Sequence, residues 1–177
     1  MLGFRLSSLL AWAGALVLFF LPWVDIRCQS RDGRVVSRVT LSGAQLAWGG
    51  ATARVEGEPT RASLVDVSTL WQNARRLVAG CLLTGYFLGL VVGIPLALSG
   101  PPGAARAGAG LVLALVLGGL LLAAALVCFG NPFRAGGRFV SSVGVVDTHF
   151  TGWYFASYLA NGWAAVSFAL EYRVARG

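Results

Sequence analysis

Four long apolar runs constrain the fold of this chain more than any other feature. They cover residues 6–24, 77–98, 107–129 and 152–170, and each holds roughly 19 to 23 residues. A helix that rises about 1.5 Å per residue needs about 20 residues to cross a hydrocarbon core of ~30 Å. Since the lipid interior offers no water to pair with backbone groups, each run is predicted to be a transmembrane helix.

Length and composition agree with a membrane protein made of one domain. Hydrophobic residues make up 56% of the 177 residues, well above their usual share in soluble domains. The first run follows Arg5 as a secretory signal would, but no small-x-small cleavage site follows it, so it is expected to remain as the first helix. Residues 1–177 are therefore predicted to form a single integral membrane domain with long loops at residues 25–76 and 130–151.

The basic charge of the chain favours a bacterial origin but does not indicate that the protein binds nucleic acid. The formal charge of +7 comes entirely from arginine, since the sequence contains no lysine. This bias, together with abundant Ala, Gly and Val, is typical of a high-GC genome and favours a bacterium. The arginines are scattered over loops, without the basic helix or aromatic platform that nucleic acid binding uses, so nucleic acid is not expected as a partner.

Arginine density predicts the orientation of the helices. The two long loops carry ten arginines, but these are spread over about seventy residues, whereas the termini and residues 99–106 carry four in about twenty. Because a long folded loop can translocate regardless of its charge, the short segments decide the orientation. We therefore predict that both termini are cytoplasmic and that both long loops face outward from a bacterial inner membrane.

The first long loop begins with a predicted β-hairpin. Apolar Val24, Ile26 and Cys28 alternate with polar residues, and Asp32-Gly33 supplies a tight turn. Residues 34–41 then resume a β-branched run. This pattern predicts two antiparallel strands at the outer membrane surface.

The remaining loop residues are predicted to extend this sheet. Short strands are expected at residues 51–56 and 138–146, and the second of these can pair with the hairpin. Asp147 or Thr148 is expected to cap the fourth helix. The predicted fold class is an all-α four-helix transmembrane bundle with a small outer β-sheet of three to five strands.

Histidine and cysteine offer candidate chemistry. His149 precedes the fourth run, where it could ligate haem or chlorophyll, or, alternatively, help to cap the helix. Cys28 and Cys128 flank the same predicted membrane face and could form a disulfide; alternatively, Cys81 and Cys128 are small buried residues and Cys28 is a free thiol. With a single histidine and no C-x-x-C pair, no metal site is predicted, and the scattered carboxylates predict no enzymatic activity.

Small and polar residues within the runs indicate helix packing. Gly85, Gly89 and Gly93 recur every four residues, so they share one face of the second helix. That face could pack inside the bundle or could receive a helix from another protein. Asn161, near the middle of the fourth run, is expected to form a hydrogen bond between helices rather than to bind a ligand.

Aromatic and arginine residues near the outer boundary predict contact with the lipid bilayer. Amphipathic rings and guanidinium groups prefer the headgroup zone, where they anchor a membrane protein. The predicted anchors are Trp23, Trp71, Arg75, Arg76, Trp153 and Tyr154.

Three short motifs accompany this order of helices and loops. Residues 70–77 read LWQNARRL, residues 129–133 read FGNPF, and residues 162–165 read GWAA. They resemble the Q-x-A-R-A-L, Y-N-P and G-W-A-A segments of the claudin and peripheral-myelin-protein superfamily of tetraspan membrane proteins. The resemblance implies a four-helix bundle with an outer β-rich first loop.

The first loop departs from the claudin pattern. Claudins carry W-x-x-G-L-W-C-C with an internal disulfide, whereas residues 43–48 read GAQLAW and the loop contains only Cys28. A role in tight junctions is therefore not implied. Residues 22–24, Cys28 and residues 41–47 also resemble a first-loop pattern of uncharacterised small bacterial membrane proteins.

Three functions are consistent with these features. The first is a non-enzymatic structural or accessory subunit of a bacterial membrane assembly, which contacts other membrane proteins or its own copies through helix faces and outer loops. The second is a cofactor-bearing subunit of an electron-transfer or photosynthetic complex that uses His149. The third is a small transporter or channel built by oligomerisation.

The predicted orientation can be tested with topology reporters. Fusions after Gly57 and Gly137 should report an outer location, and fusions after Pro102 and Gly177 a cytoplasmic one, because arginine density retains the short segments inside. Alkaline phosphatase and a fluorescent protein, which are active on opposite sides, provide the readout. The reverse pattern would return the arginine-rich loops to the cytoplasm.

Overall fold

The structure, a computed structural model, describes residues 2–29, 35–49, 52–54, 69–99, 103–129, 136–140 and 145–177. Helices account for most of these residues, and the strands lie in the two long loops. In chain order the elements are α1 Leu2–Phe19, β1 Pro22–Gln29, β2 Val35–Ser42, α2 Gly43–Trp48, β3 Thr52–Arg54, α3 Thr69–Leu98, α4 Ala104–Phe129, β4 Gly136–Val140, β5 Val145–Phe150 and α5 Gly152–Arg176.

The four long helices pack side by side as a bundle. Both α1 and α4 contact α3 and α5, so each long helix has two neighbours. By length and composition, Arg76–Leu98 in α3 and Ala104–Cys128 in α4 can cross a membrane, while α1 contains a shorter apolar stretch, Gly3–Phe19. The chain is thus mostly helical, with two candidate membrane-spanning helices.

The strands form one antiparallel sheet in the order β3-β2-β1-β5-β4. β1 and β2 confirm the predicted hairpin, and its Asp32-Gly33 turn lies outside the described residues. β5 pairs with the other edge of β1, with Val24 opposite Phe150, so the third loop joins the sheet as predicted. The strand expected at residues 51–56 corresponds to β3.

The first apolar run does not stay helical to residue 24, as the sequence analysis predicted. α1 ends at Phe19, and β1 begins at Pro22. Proline has no N–H and disfavours helical backbone at the residue before it. Phe20 and Leu21 therefore close the helix with N–H···O bonds of 3.1 Å to carbonyls only three residues back. Only Phe20 and Leu21 separate the end of α1 from the start of β1.

The single strand predicted at residues 138–146 is also wrong. The chain forms β4 and β5 instead, which pair with each other as a second hairpin. The intervening sequence, SSVG, contains the turn-forming residue types that interrupt a strand. Asp147 and Thr148 consequently lie within β5 rather than at a helix cap, and Thr151 is the N-cap residue of α5.

A short helix, α2, was not predicted. Ser42 and Gln45 form a reciprocal capping box at its start: the Gln45 N–H donates to Ser42 Oγ at 3.2 Å, and the Ser42 N–H donates to Gln45 Oε1 at 2.9 Å. Gly80 of α3 allows close packing, because a Cβ atom there would lie 2.7 Å from the Ala47 carbonyl oxygen. α2 therefore packs closely on α3 and also contacts β2, so it connects the sheet to the bundle.

An aromatic layer centred on Trp23 joins the sheet to the bundle. The Trp23 side chain is only 1% exposed, and its ring centroid lies 5.5 Å from that of Phe19, 6.3 Å from Tyr86 and 5.8 Å from Tyr154. Its Nε1 donates a 2.7 Å hydrogen bond to the Leu18 carbonyl, so the buried indole N–H of Trp23 is satisfied. Helices α1, α3 and α5 thus meet strand β1 around one side chain.

An ion pair closes the opposite end of the bundle. Arg106 Nη2 donates to Glu171 Oε1, and both side chains are buried, with 8% and 1% of their surface exposed. Arg106 Nη1 also donates to the Leu96 and Ala97 carbonyls at 3.4 and 3.3 Å, which lie in the last turn of α3. A buried charge is tolerated when it is paired and satisfies further polar groups. This pair therefore ties α3, α4 and α5 together.

Replacing Trp23 with alanine should destabilise the protein by about 3 to 5 kcal/mol, since it removes a large buried ring and leaves a cavity. Thermal denaturation of the purified protein in detergent measures the effect. Trp153→Ala is the matched control, because Trp153 is 49% exposed and should cost about 1 kcal/mol or less. Equal losses in the two variants would contradict a central role for the Trp23 layer.

Candidate functional site on the sheet

The sheet has one face on the bundle and one face away from it. Val24 is fully buried and Ile26 packs against the core. Side chains alternate along a strand, so Asp25 and Arg27 belong to the opposite face. This face carries the charged residues of β1.

The strand register pairs the backbones of five charged residues in one row across the sheet, although the side chains of two of them, Arg54 and Arg138, lie outside the described part of the chain. Arg27 lies directly opposite Arg38 on β2 and opposite Asp147 on β5. Arg54 on β3 is paired with Arg38, and Arg138 on β4 is paired with Asp147. Directly paired residues of an antiparallel sheet share a face. We name this set, four arginines and one aspartate spanning all five strands, the arginine row.

Asp25 holds the centre of the arginine row in place. Arg38 donates two hydrogen bonds of 2.8 Å to its carboxylate, from Nε to Oδ1 and from Nη2 to Oδ2. Arg27 Nε also donates to Oδ2, at 3.1 Å. Asp25 is only 5% exposed, whereas the side chains of Arg27 and Arg38 are 44% and 51% exposed. Two guanidinium groups thus project outward from one buried carboxylate.

The charge of Asp25 is maintained by its partners. Burial alone would raise the pKa of this carboxyl, but the hydrogen bonds from Arg38 and Arg27 and their positive charges outweigh burial, so the pKa lies below its ordinary value. The ionised carboxylate offsets the repulsion between Arg27 and Arg38, since like charges directly opposite each other destabilise a sheet. Counted together, the row and Asp25 contain four arginines and two aspartates, so the set is formally basic.

His149 lies on the same sheet rather than at a helix end. It is an exposed residue of β5, its backbone is paired with Asp25, and it lies two residues before Thr151, the N-cap residue of α5. A contribution of its side chain to the cap stays a prediction. Ligation of haem or chlorophyll by His149 stays a prediction. Among the described residues, no group of three or more His, Cys, Asp or Glu side chains is arranged to hold a metal ion.

The cysteines occupy different environments. Cys81 is exposed on α3, which contradicts its interpretation as a buried residue, and Cys128 is half-buried near the end of α4. The backbone of Cys28 pairs with Val146 in the sheet, but its side chain lies outside the described part of the chain. The predicted disulfide between Cys28 and Cys128 stays a prediction.

The glycine face of α3 is occupied within the bundle. A Cβ atom at Gly85 would lie 3.5 Å from Leu120, and one at Gly89 would collide with Leu117. A Cβ atom at Gly93 would lie 2.8 Å from the Trp12 ring of α1. The structure therefore assigns these glycines to contacts with α4 and α1 and corrects the alternative that they receive a helix from another protein.

Asn161 connects two helices through a hydrogen bond. Its Nδ2 donates to the Ala114 carbonyl of α4 at 2.9 Å. Gly118 makes room for the amide, since a Cβ atom there would lie 3.1 Å from Asn161 Nδ2. In its described contacts, this polar side chain serves packing.

Two of the predicted membrane anchors are wrong. Trp23 and Tyr154 are 1% and 2% exposed, because both belong to the aromatic layer that joins the sheet to the bundle. Trp153 and Arg76 are exposed, whereas the side chains of Trp71 and Arg75 lie outside the described residues.

Sequence reasoning missed the arginine row. Alternation placed Asp25 and Arg27 on one face of the first strand, but the row depends on pairing between residues that lie far apart in the chain. Arg27 and Asp147 illustrate this, since the two lie on different loops and meet only through the β1–β5 register. No local motif carries that information.

Replacing Asp25 with asparagine should lower stability by about 1 to 2 kcal/mol at pH 7, because it removes charge-assisted hydrogen bonds to half-exposed partners. The lowered pKa means that the carboxylate contributes fully above its unfolded pKa of about 3.9 and less as the pH falls through the folded value. Melting temperatures at pH 7 and pH 3 should therefore differ less in the variant than in the wild type. A parallel pH dependence in both proteins would contradict the assignment.

No protein-family model matches the chain, and no curated protein matches it. The claudin-like layout stays a resemblance based on short motifs, and a functional proposal must rest on the geometry of the sheet and the helices.

Proposed function

We propose that this protein is a four-span integral membrane protein that acts, without enzymatic chemistry, as a structural or accessory subunit of a bacterial membrane assembly. In this proposal the arginine row is its contact surface, and the partner is a protein segment rich in Asp and Glu. The observation that carries the proposal is the row itself: backbone pairing places its members across all five strands, and the described side chains of Arg27 and Arg38 are half-exposed on the face away from the bundle.

The two faces of α5 support a third membrane span. Its outward residues are large and apolar, whereas its buried residues include most of its polar ones, the reverse of a helix on a water-soluble protein. The exposed set is Phe155, Leu159, Trp163, Val166 and Leu170, and the buried polar set is Ser157, Asn161, Ser167 and Glu171. The modest overall hydropathy of α5 thus comes from residues that face the bundle, not the lipid.

The packing of α1 supports a fourth span. Leu6, Leu10 and Val17 are exposed on its outer side. Its Ser7 hydroxyl lies 3.0 Å from the Ser167 hydroxyl and accepts a 2.7 Å hydrogen bond from Trp163 Nε1. Ser7 of α1 is thus paired with α5, and the exposed side of α1 is an apolar surface suited to lipid.

The arginine row suits an acidic protein segment for geometric and electrostatic reasons. Neighbouring strands lie about 4.8 Å apart, so a row across five strands extends over roughly 20 Å. Arginine forms bidentate pairs with carboxylates and is enriched at protein interfaces. Adjacent arginines repel one another, and a partner that supplies carboxylates would relieve this repulsion on binding.

A charge-neutralising variant of the arginine row tests this function. Arg54→Gln with Arg138→Gln removes two positive charges while retaining both arginines that hold Asp25. The tagged full-length protein is captured from its native membranes after mild detergent extraction, at increasing salt concentration. We expect the partners recovered with the wild type to be lost with the variant, and their recovery to fall as salt rises.

The matched control removes the same charge from the other end of the molecule. Arg173 and Arg176 are exposed in the last turns of α5, so Arg173→Gln with Arg176→Gln should leave partner recovery unchanged. Equal recovery with both double variants would exclude the row as the contact surface. Loss with both would show a nonspecific charge effect.

A further inference from the structure

A groove lies on the outer surface of the bundle where α1 and α5 meet, near the end opposite the sheet. It has a volume of about 320 Å³ and is open on one side. Its lining is mainly apolar and includes Phe4 of α1 and Trp163, Val166 and Leu170 of α5. The three α5 side chains are exposed. In the proposed membrane setting the groove therefore faces lipid rather than water.

Two serine hydroxyls in the groove leave one hydrogen atom for a ligand. Ser7 Oγ lies 3.0 Å from Ser167 Oγ, and either can be the donor. Ser7 Oγ also accepts a 2.7 Å hydrogen bond from Trp163 Nε1. The two hydroxyls carry two hydrogens, and the bond between them uses one. Since neither hydroxyl makes a further hydrogen bond within the described part of the chain, the second hydrogen is available to an acceptor in the groove.

The end of the bundle nearest the groove is basic. Its helix segments, residues 2–8, 103–110 and 167–177, contain four arginines and one carboxylate, a formal charge of +3. That carboxylate, Glu171, is paired with Arg106 inside the bundle. Arg173 is exposed and follows Val166 by seven residues, so the two share one face of α5. A cation thus stands just beyond the groove, on the side of its α5 wall.

We propose that this groove binds one anionic phospholipid from the membrane leaflet at that end of the bundle. Along α5, apolar Trp163 and Val166 are followed by Ser167 and then by Arg173. A phospholipid presents its acyl chain, ester carbonyl and phosphate in the same order. The chain packs on the apolar wall, the free hydroxyl hydrogen is donated to an ester carbonyl oxygen, and Arg173 forms charge-assisted hydrogen bonds with the phosphate.

This inference rests on the membrane setting of the proposed function, but it does not involve the arginine row. The row lies on the sheet, at the other end of the bundle. Loss of lipid binding and loss of the acidic partner are therefore separate events that different variants report.

Native mass spectrometry of the full-length protein in mild detergent measures lipid binding directly. Phosphatidylglycerol and phosphatidylcholine with identical acyl chains are added in equal amounts, and the dissociation constant of the first bound lipid is compared. We expect the anionic lipid to bind about fivefold more tightly, because its phosphate retains a net charge for Arg173. Equal affinity for the two lipids would overturn the proposal.

Arg173→Gln should remove this preference, and Arg176→Gln is the control that removes the same charge from the same helix end. Arg176 lies over the Tyr172 ring, 4.7 Å from its centroid, and that ring packs beside Gly108 of α4, away from the groove. Its loss should change the preference by about twofold or less, since it acts only through a screened long-range field. Equal effects of the two variants would assign the preference to general charge and overturn the site.

Gly3→Leu tests the groove itself. Gly3 lines the groove, and a Cβ atom there would meet nothing within 4 Å, so the larger side chain fills the groove without displacing a helix. We expect it to abolish the first binding event for both lipids. Gly14→Leu is the control, because Gly14 has equally open surroundings on the same helix but does not line the groove. Unchanged binding in Gly3→Leu would exclude the groove as the lipid site.

Two further outcomes are informative. If Gly3→Leu converts a dimer into a monomer without changing lipid binding, a second copy of the chain occupies the groove and the lipid proposal is wrong. Flotation of the reconstituted protein with vesicles after a carbonate wash reports the membrane setting separately. A protein that floats but shows no lipid preference would overturn only the lipid site, whereas a protein that is washed off would contradict the membrane setting as well.

Discussion

The burial of Trp23 at the change from helix to strand is the constraint on which the rest of the structure depends. Pro22 ends the helical path, and Trp23 then enters the junction between α1, α3 and α5. A register irregularity between Pro22 and Val24 lets both Trp23 and Val24 face the bundle, and the side chains alternate from Val24 onward, so Asp25 faces away. A shift of one residue would turn Arg27 toward the apolar core, so the register of the sheet is strongly specified.

Polar groups in the bundle are distributed in the reverse of a soluble protein. Asn161 bonds to a carbonyl of α4, and the pair of Arg106 and Glu171 satisfies the last turn of α3. Large apolar residues occupy the outer surface of all four long helices. In the proposed membrane setting, internal polar contacts would be the specific element of packing, since apolar side chains gain little by leaving one apolar medium for another.

The sequence predicted the long helices well because long apolar runs without breaks are readable residue by residue. It also predicted the β1–β2 hairpin, since alternation and a tight turn are local signals. Aromatic residues were harder: Trp23 and Tyr154 suit both a headgroup zone and a protein interior, and hydropathy does not separate these environments. Their assignment depends on the position of the sheet, which the runs alone do not fix.

The arginine row could not be predicted for a related reason. The row requires Arg27 to meet Asp147, so it depends on a contact between segments far apart in the chain. The alternation of residues along a strand predicts which side chains share a face, but not which strand lies beside it.

Strand β1 connects the aromatic layer to the arginine row. It carries Trp23 against Tyr86 and Tyr154, and beyond the register irregularity between Pro22 and Val24 it carries Asp25 and Arg27 on the outer face. Thr151 donates its N–H to the Trp23 carbonyl at 2.8 Å, so α5 begins attached to this strand. The outward position of Asp25 and Arg27 therefore depends on the burial of Trp23 and Val24 against the bundle.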